Sequence, residues 1–335
     1  MKILYFLLIG MYIPLHWHST YSFLEALWSS QQIVNKAKEI WLPAIAITDY
    51  SGIYCFPSFY LAATAKKEET DPTIKPLIGV ELGFVANYTN ILGLKEIGTI
   101  CLLALNNEGY NNLREIITFA NEEGIERKPK IDPSILEKYK EGIIVFYGWV
   151  NSRCYQELQN GGTIENIKLM HAKLKEMFGD HCYLEITAQD ETKIHEYKEI
   201  NHIIYDLAKE TQTECIVNNN YFYPDAKLRE AWEVALCIKD GTKIYDKDRR
   251  NPQGAFHIMT EDEIKEICLK NGYSEEEINH RIQNNETIAN QAEVTIPFGQ
   301  ALFPKYESPE RVQELFEQFK DTMIVTEDES SEESQ

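Results

Sequence analysis

The stretch Leu15-His16-Trp17-His18-Ser19-Thr20 follows directly on a short apolar run, Tyr12 to Leu15. On a β-strand, residues two apart point to the same face. The spacing therefore sends the imidazoles of His16 and His18 out together from the end of one strand. Imidazole is a nitrogen ligand suited to Zn, Fe or Mn. Taken alone, the pair is equally compatible with two polar residues at a strand end, because short motifs match by chance. Its meaning depends on what the other strand ends carry.

On its N-terminal side, Lys2 precedes the run Ile3-Leu4-Tyr5-Phe6-Leu7-Leu8-Ile9, which has the look of a signal-peptide core. No A-x-A-like cleavage site follows it, and the run is too short to span a bilayer. Residues 1–11 are read as an apolar leader or an over-long start, with Met11 the first residue in the second case.

On the C-terminal side, Ser29 or Ser30 caps a predicted helix running to about Trp41. Ala44 to Thr48 is a nearly continuous apolar run, as in a strand buried on both faces, and it ends in Asp49-Tyr50-Ser51-Gly52. A carboxylate at a strand end is where parallel α/β folds place active groups. Lys75 to Val80 is a third strand, ending in Glu81. Strand-like runs then alternate with helical patterns: Thr99–Leu105, Gly142–Phe146, Cys182–Ile186 and Glu214–Asn218 are the strands. Such alternation predicts βαβ units and a parallel sheet, and polar ends spread over seven runs favour a closed barrel. No Gly-x-Gly-x-x-Gly turn follows the first strand, which disfavours a dinucleotide fold. His171, His181, His257 and His280 are read as surface or boundary residues, and Cys101, Cys215 and Cys237 as buried small hydrophobes.

Beyond Asp225 the pattern becomes helical and irregular, with a capping box at Thr260-Glu261-Asp262-Glu263. Glu307 to Lys320 is amphipathic, and Glu327 to Gln335 is an acidic run expected to be disordered. Of the 335 residues, 44% are hydrophobic and 26% charged, as in a globular domain. Lys and Arg total 33 against 53 Asp and Glu, a formal charge of −20, which argues against a free-standing DNA binder. The seven cysteines are scattered without a C-x-x-C pair, as for reduced thiols in a cytoplasmic protein.

The ordered segments LHWHSTYS, AIAITDYSGIY, IKPLIGVEL, LLALNNEGYNNL, ERKPKID and EGIIVFYGWV resemble the PHP (polymerase and histidinol phosphatase) domain. More narrowly, with AKLREAWEVALCIKDGT, DRRNPQGAFHI and ETIANQAEVTIPFG, residues 12 to 306 resemble the N-terminal region of bacterial replicative DNA polymerase III α subunits. The resemblance implies an α/β fold, a distorted (βα)7 barrel over residues 12–238. It implies an extension over 239–306 leading toward a palm domain, with an amphipathic helix and acidic tail over 307–335. It also implies a metal site on His16, His18, Asp49 and Glu81. The family's further ligands are replaced: Tyr50 stands for a histidine, Trp149 for a cysteine, and Asn219 and Tyr221 for an aspartate and a histidine. Tyrosine and amide side chains are far weaker ligands than imidazole or carboxylate. At most one weakly held divalent ion, Zn or Mn, is therefore expected.

The resemblance also implies catalytic aspartates in a later palm segment, Pro-Asp-x-Asp-x-Asp-like, which these residues do not contain; the chain reads as a split-gene product or a fragment. Two function classes follow. One is a structural and protein-docking module of DNA replication, partnered by the remainder of the polymerase and a proofreading exonuclease, with weak direct nucleic-acid binding at most and no membrane. The other is a metal-dependent phosphoesterase or 3′–5′ proofreading exonuclease. The lost cysteine and Asp-x-His favour the first.

Overall fold

The computed structural model describes residues 11–66, 73–86, 97–125, 128–298 and 310–319. All but Met11 of residues 1–11, expected to be an apolar leader or over-long start, and the acidic run Glu327 to Gln335 lie outside them. Contacts divide the chain into two units, one through Thr295 and one from Ile296 onward. The second contains an amphipathic helix, Glu310–Phe319.

The first unit is organised by a curled sheet of seven strands. β1 (Ala44–Ile47) is the apolar run AIAI, buried at every position, and it pairs in parallel with β2 (Lys75–Phe84). α1 (Ser30–Glu39) precedes β1, and α2 (Phe56–Thr64) lies between β1 and β2 in sequence. The predicted cap of α1 is present as a full capping box between Ser29 and Gln32. β3 (Gly98–Ala104) lies between β2 and β5 (Ile143–Tyr147). β6 (Cys182–Thr187) and β7 (Cys215–Asn218) complete the order in parallel. A two-residue strand, β4 (Lys130–Ile131), adds to β2.

The sheet is mixed, and the expectation of a wholly parallel one is corrected. β3 runs antiparallel to both neighbours. An apolar run buried on both faces reads alike in either direction, and an antiparallel pair needs no crossover helix, so periodicity could not tell them apart. α3 (Asn107–Glu122), α6 (Ile164–Phe178) and α7 (His195–Thr211) stand in the intervals where helical spacing predicted them. Two shorter helices, α4 (Pro133–Lys138) and α5 (Arg153–Gln159), lie where no helix was expected. α8 (Arg229–Asp240), α9 (Glu261–Lys270) and α10 (Glu275–Gln291) belong to the same unit as the sheet.

Residues 12–18 join the two edges of this sheet. On one side Ala46 N donates to Pro14 O (3.1 Å) and Thr48 N to Trp17 O (2.8 Å). On the other, His18 N donates to Tyr221 O (3.0 Å) and Tyr221 N to His16 O (3.2 Å), just beyond β7. The segment makes a single bridge, Trp17 with Tyr221, rather than a regular ladder. The fold is therefore a distorted PHP-type β/α barrel closed by an extended segment.

Asn285 of α10 fixes that closure. Its Nδ2 donates to Ile13 O (3.0 Å), Val217 O (2.8 Å) and Asn218 Oδ1 (3.1 Å), while its Oδ1 accepts from Val217 N (3.1 Å). The side chain is fully buried. All seven cysteines are buried and free. His171, read from sequence as a surface or boundary residue, is instead fully buried, because α6 turns it toward the sheet. Its Nδ1 meets Tyr147 Oη at 2.6 Å, and its Nε2 meets Thr213 Oγ1 at 2.9 Å.

Two outcomes are expected. Asn285→Ala leaves buried partners on β7 and residue 13 unsatisfied, so urea unfolding should show a loss of about 3 kcal/mol; a loss under about 0.5 kcal/mol would contradict this role. Burial, with a lesser contribution from Lys175, lowers the His171 imidazole from 6.5 to about 4. The folded state then binds fewer protons than the unfolded one, so this contribution is complete above pH 6.5 and is lost as pH falls toward 4, by about 3 kcal/mol in all. Unfolding curves across that range should flatten in His171→Gln.

Candidate metal centre

The closing segment carries His16 and His18 into the interior, where both are fully buried. Opposite them stands Glu81, also fully buried. The sequence reading ended its strand at this residue, but β2 continues to Phe84, and Glu81 pairs in register with Cys101 of β3. His16 Nε2 lies 2.9 Å from Glu81 Oε2, and His16 Nδ1 lies 3.3 Å from Glu185 Oε2 on β6. His18 Nε2 is 3.2 Å from the same Glu81 oxygen but off the line of a hydrogen bond. The candidate ligand atoms of His16, Glu81 and Cys101 all lie within 4.8 Å of one another, so this group is able to hold a metal ion.

Asp49 is placed differently. Its carboxylate accepts from Ser19 N (2.6 Å), Ser19 Oγ (2.6 Å) and Ser22 Oγ (2.7 Å). It thereby pins the turn that follows His18, and it is not part of the His16–Glu81–Cys101 group. Tyr50, at the position of the family's histidine, stacks on His18 with ring centroids 4.4 Å apart, and Phe222 packs on it too at 4.8 Å. Trp149 packs edge-on against His16 at 4.5 Å, and its Nε1 donates to Glu81 Oε1 (3.2 Å). Gly148 makes this possible: its φ is +152°, and a Cβ there would come within 2.2 Å of Glu185 O.

Asn219 and Tyr221 were expected to face the same pocket. Instead Asn219 Oδ1 accepts from Gln189 (2.8 Å) and its amide nitrogen donates to Ala255 O (2.5 Å), while Tyr221 Oη meets Tyr12 Oη at 2.6 Å.

Burial disfavours every charge in this cluster. For Glu81 the hydrogen bond from His16 and the closeness of both His16 and His18 outweigh it and hold the carboxyl at about 2. For His16, burial is outweighed by Cys101 and Glu185, and the imidazole is lifted well above its usual 6.5. Burial pushes the Cys101 thiol up to about 12, so near neutral pH it is uncharged. The negative charge facing His16 at that pH therefore includes Glu81, in a buried ion pair.

Two buried atoms, His18 Nε2 and Glu185 Oε1, have no hydrogen-bond partner. With the nitrogen, oxygen and sulfur donors around them, they fit a single divalent ion of the Zn or Mn kind. The aromatic rings of Tyr50 and Trp149 occupy the flanks where further ligands would be needed for a second. Sequence reasoning missed Glu185, although a carboxylate in the apolar strand CYLEI is a legible sign of a buried charge. It read Cys101 only as a packing residue, and nothing local distinguishes it. A cleft of about 590 Å³ lies beside Glu81, lined also by Lys128, Lys239 and Arg250.

The PHP domain family matches residues 14–189, more than half of the chain. The DNA polymerase III subunit alpha of Thermus aquaticus is 27% identical over 311 residues, 88% of this chain and 24% of that protein. That of Deinococcus radiodurans is 28% identical over 297 residues, 85% of this chain and 21% of that protein. The chain thus spans about a quarter or less of the length of these relatives. A solved amidohydrolase from Chromobacterium violaceum, with bound sulfate and no metal, aligns with 67% of this chain and 96% of its own at 12% identity and a TM-score of 0.43. The family match spans the closing segment, β2 and the strands through β6 on which the buried cluster is built, and the chain belongs to the PHP domain family, resembling the N-terminal part of polymerase III alpha subunits.

Proposed function

We propose that this chain is a non-catalytic replication module, a PHP domain that supports a polymerase body and docks protein partners. The observation that carries this reading is the state of Glu81. Its two oxygens are taken by His16 and the Trp149 indole, His18 lies within ion-pair distance, and none of these side chains is open to solvent. A catalytic metal site keeps an open position for water or substrate. Here the aromatic substitutions close it. The net charge of −20 suits protein contacts better than phosphate contacts. The partners in this reading are the remainder of a replicative polymerase and a proofreading exonuclease. Among the described residues, no helix is long and apolar enough to cross a membrane. The module works in the cytoplasm, where its thiols stay reduced.

An ion, where bound, would be held weakly by His16, His18 and Glu81 with Cys101 beside them, and Asp49 would join only by releasing its serines. Such an ion polarises phosphate oxygens. The chain's own residues hold the pocket's charge balance and exclude water from it. A second reading, a phosphoesterase or 3′–5′ exonuclease, is favoured by the unpartnered His18 Nε2 and by the cleft beside Glu81.

Elemental analysis of gently purified protein, paired with a phosphoesterase assay in added Mn and Zn, separates the two. The expected result is at most one equivalent of metal and no turnover above blank. Two or more equivalents, with activity abolished by His16→Ala, would establish the enzyme instead. On a primed template, the 335-residue chain alone should extend nothing, and it should co-elute with the polymerase polypeptide encoded in the same genome. Extension by the chain alone would overturn the module reading, as would failure to form that complex.

A further inference from the structure

The charge of this chain is gathered at its C-terminal end. Residues 307–335 hold ten Asp and Glu against Arg311 and Lys320, so 8 of the 20 net negative charges lie there. Within this stretch, α11 (Glu310–Phe319) carries Leu315, Phe316 and Phe319, which are 44%, 56% and 47% exposed. Positions three and four apart on a helix are neighbours, so these three apolar residues share one face. The same spacing puts Glu314 and Glu317 on the opposite side. A helix of ten residues is marginal in water on its own hydrogen bonds, and burial of an amphipathic face is what usually stabilises one. Apolar surface rimmed by polar groups marks a contact surface.

The charge selects what covers that surface. Helices that lie on membranes carry Lys and Arg on their polar face, and nucleic acid is held by the same cations. An acidic helix is repelled by both phosphate surfaces. It fits a groove on another protein, apolar along its floor and edged with Lys and Arg. Polypeptides that hold DNA are the ones rich in such cations. The chain matches polymerase III alpha subunits over a quarter or less of their length, so most of a polymerase polypeptide lies outside it and is available as that partner.

We propose that α11 is the docking element of this chain, laid by its Leu315, Phe316 and Phe319 face into a basic-edged apolar groove of the polymerase polypeptide. The inference rests on the replication-module reading and names the contact through which the module would act. In such a contact the apolar side chains supply most of the affinity, and the carboxylates supply orientation and rate of association. Neither the buried histidines nor their metal takes part.

Calorimetric titration of the full chain into the polymerase polypeptide encoded in the same genome, at low and at high salt, tests it. Two double variants of the full chain are compared with the unmodified protein. Leu315→Asp with Phe316→Asp should weaken binding by about 100-fold at either salt. Glu314→Lys with Glu317→Lys should weaken it by about 10-fold at low salt and by less at high salt, where the charges are screened. All four side chains are exposed, so thermal unfolding of the barrel should be the same in both variants. Unchanged affinity in either variant overturns the inference and leaves the module reading standing. No binding by the unmodified chain overturns the module reading, and the inference with it. Sedimentation of the chain alone and flotation with phosphatidylserine vesicles test the other occupants. Self-association or vesicle binding that the apolar double variant abolishes, with polymerase binding intact, assigns the face to a second copy or to a membrane and overturns the proposal.

Discussion

A carboxylate sealed from water has to be satisfied where it stands, and in this protein Glu81 imposes that requirement on its surroundings. An unpaired ionised carboxylate in an apolar interior is among the most expensive groups a fold can contain. Glu81 accepts from His16 and from the Trp149 indole, and His18 stands within ion-pair distance. Those three groups come from the closing segment and from the turn after β5. Meeting the need of one side chain on β2 therefore dictates where residues 16–18 lie and how the chain leaves β5. Gly148 is required at that exit because the backbone must pass tight against Glu185 to deliver Trp149. The serine bonds to Asp49 hold the turn that lets His18 keep its place.

Much of this was legible in sequence for simple reasons. The apolar strands announced themselves because they are buried on both faces, and the capping boxes at Ser29 and Thr260 lie where their residue types put them. The His-x-His spacing brought His16 and His18 to one partner, Glu81, as strand geometry requires. The direction of β3 was illegible, since a doubly buried run carries no mark of polarity. Glu185 was overlooked because attention went to the strand ends, although a carboxylate inside an apolar strand marks a buried charge. The burial of His171 escaped because its partners Tyr147, Thr211 and Thr213 are scattered in sequence and meet only when α6 packs on the sheet. Asp49 is a different case: residue type and position suit a ligand, and here Ser19 and Ser22 donate to its carboxylate.

The aromatic replacements have to be understood together. Tyr50 and Trp149 are large rings set against histidines, and rings in such positions contribute packing and stacking where ligands would contribute charge. A pocket holding buried histidines and carboxylates needs its charges balanced. Filling it with aromatic surface and an indole donor restores balance by other means. Replacing a buried polar site with well-packed apolar groups is often neutral or stabilising, and Tyr50 and Trp149 pack against the buried histidines here.

The closing segment has a consequence for the order in which the molecule is made. Tyr12 N is bonded to Glu261 Oε2 (2.8 Å), Ile13 O to Asn285, and Tyr12 Oη to Tyr221 Oη. Partners more than 200 residues apart in sequence cannot meet until the later one has left the ribosome. During synthesis, the closing segment is thus an open edge with an apolar face until the helices α9 and α10 have been translated, about ten seconds or more at common elongation rates. Such edges invite pairing with other chains. Production of this barrel in a soluble state is governed by what shields residues 12–18 in that interval.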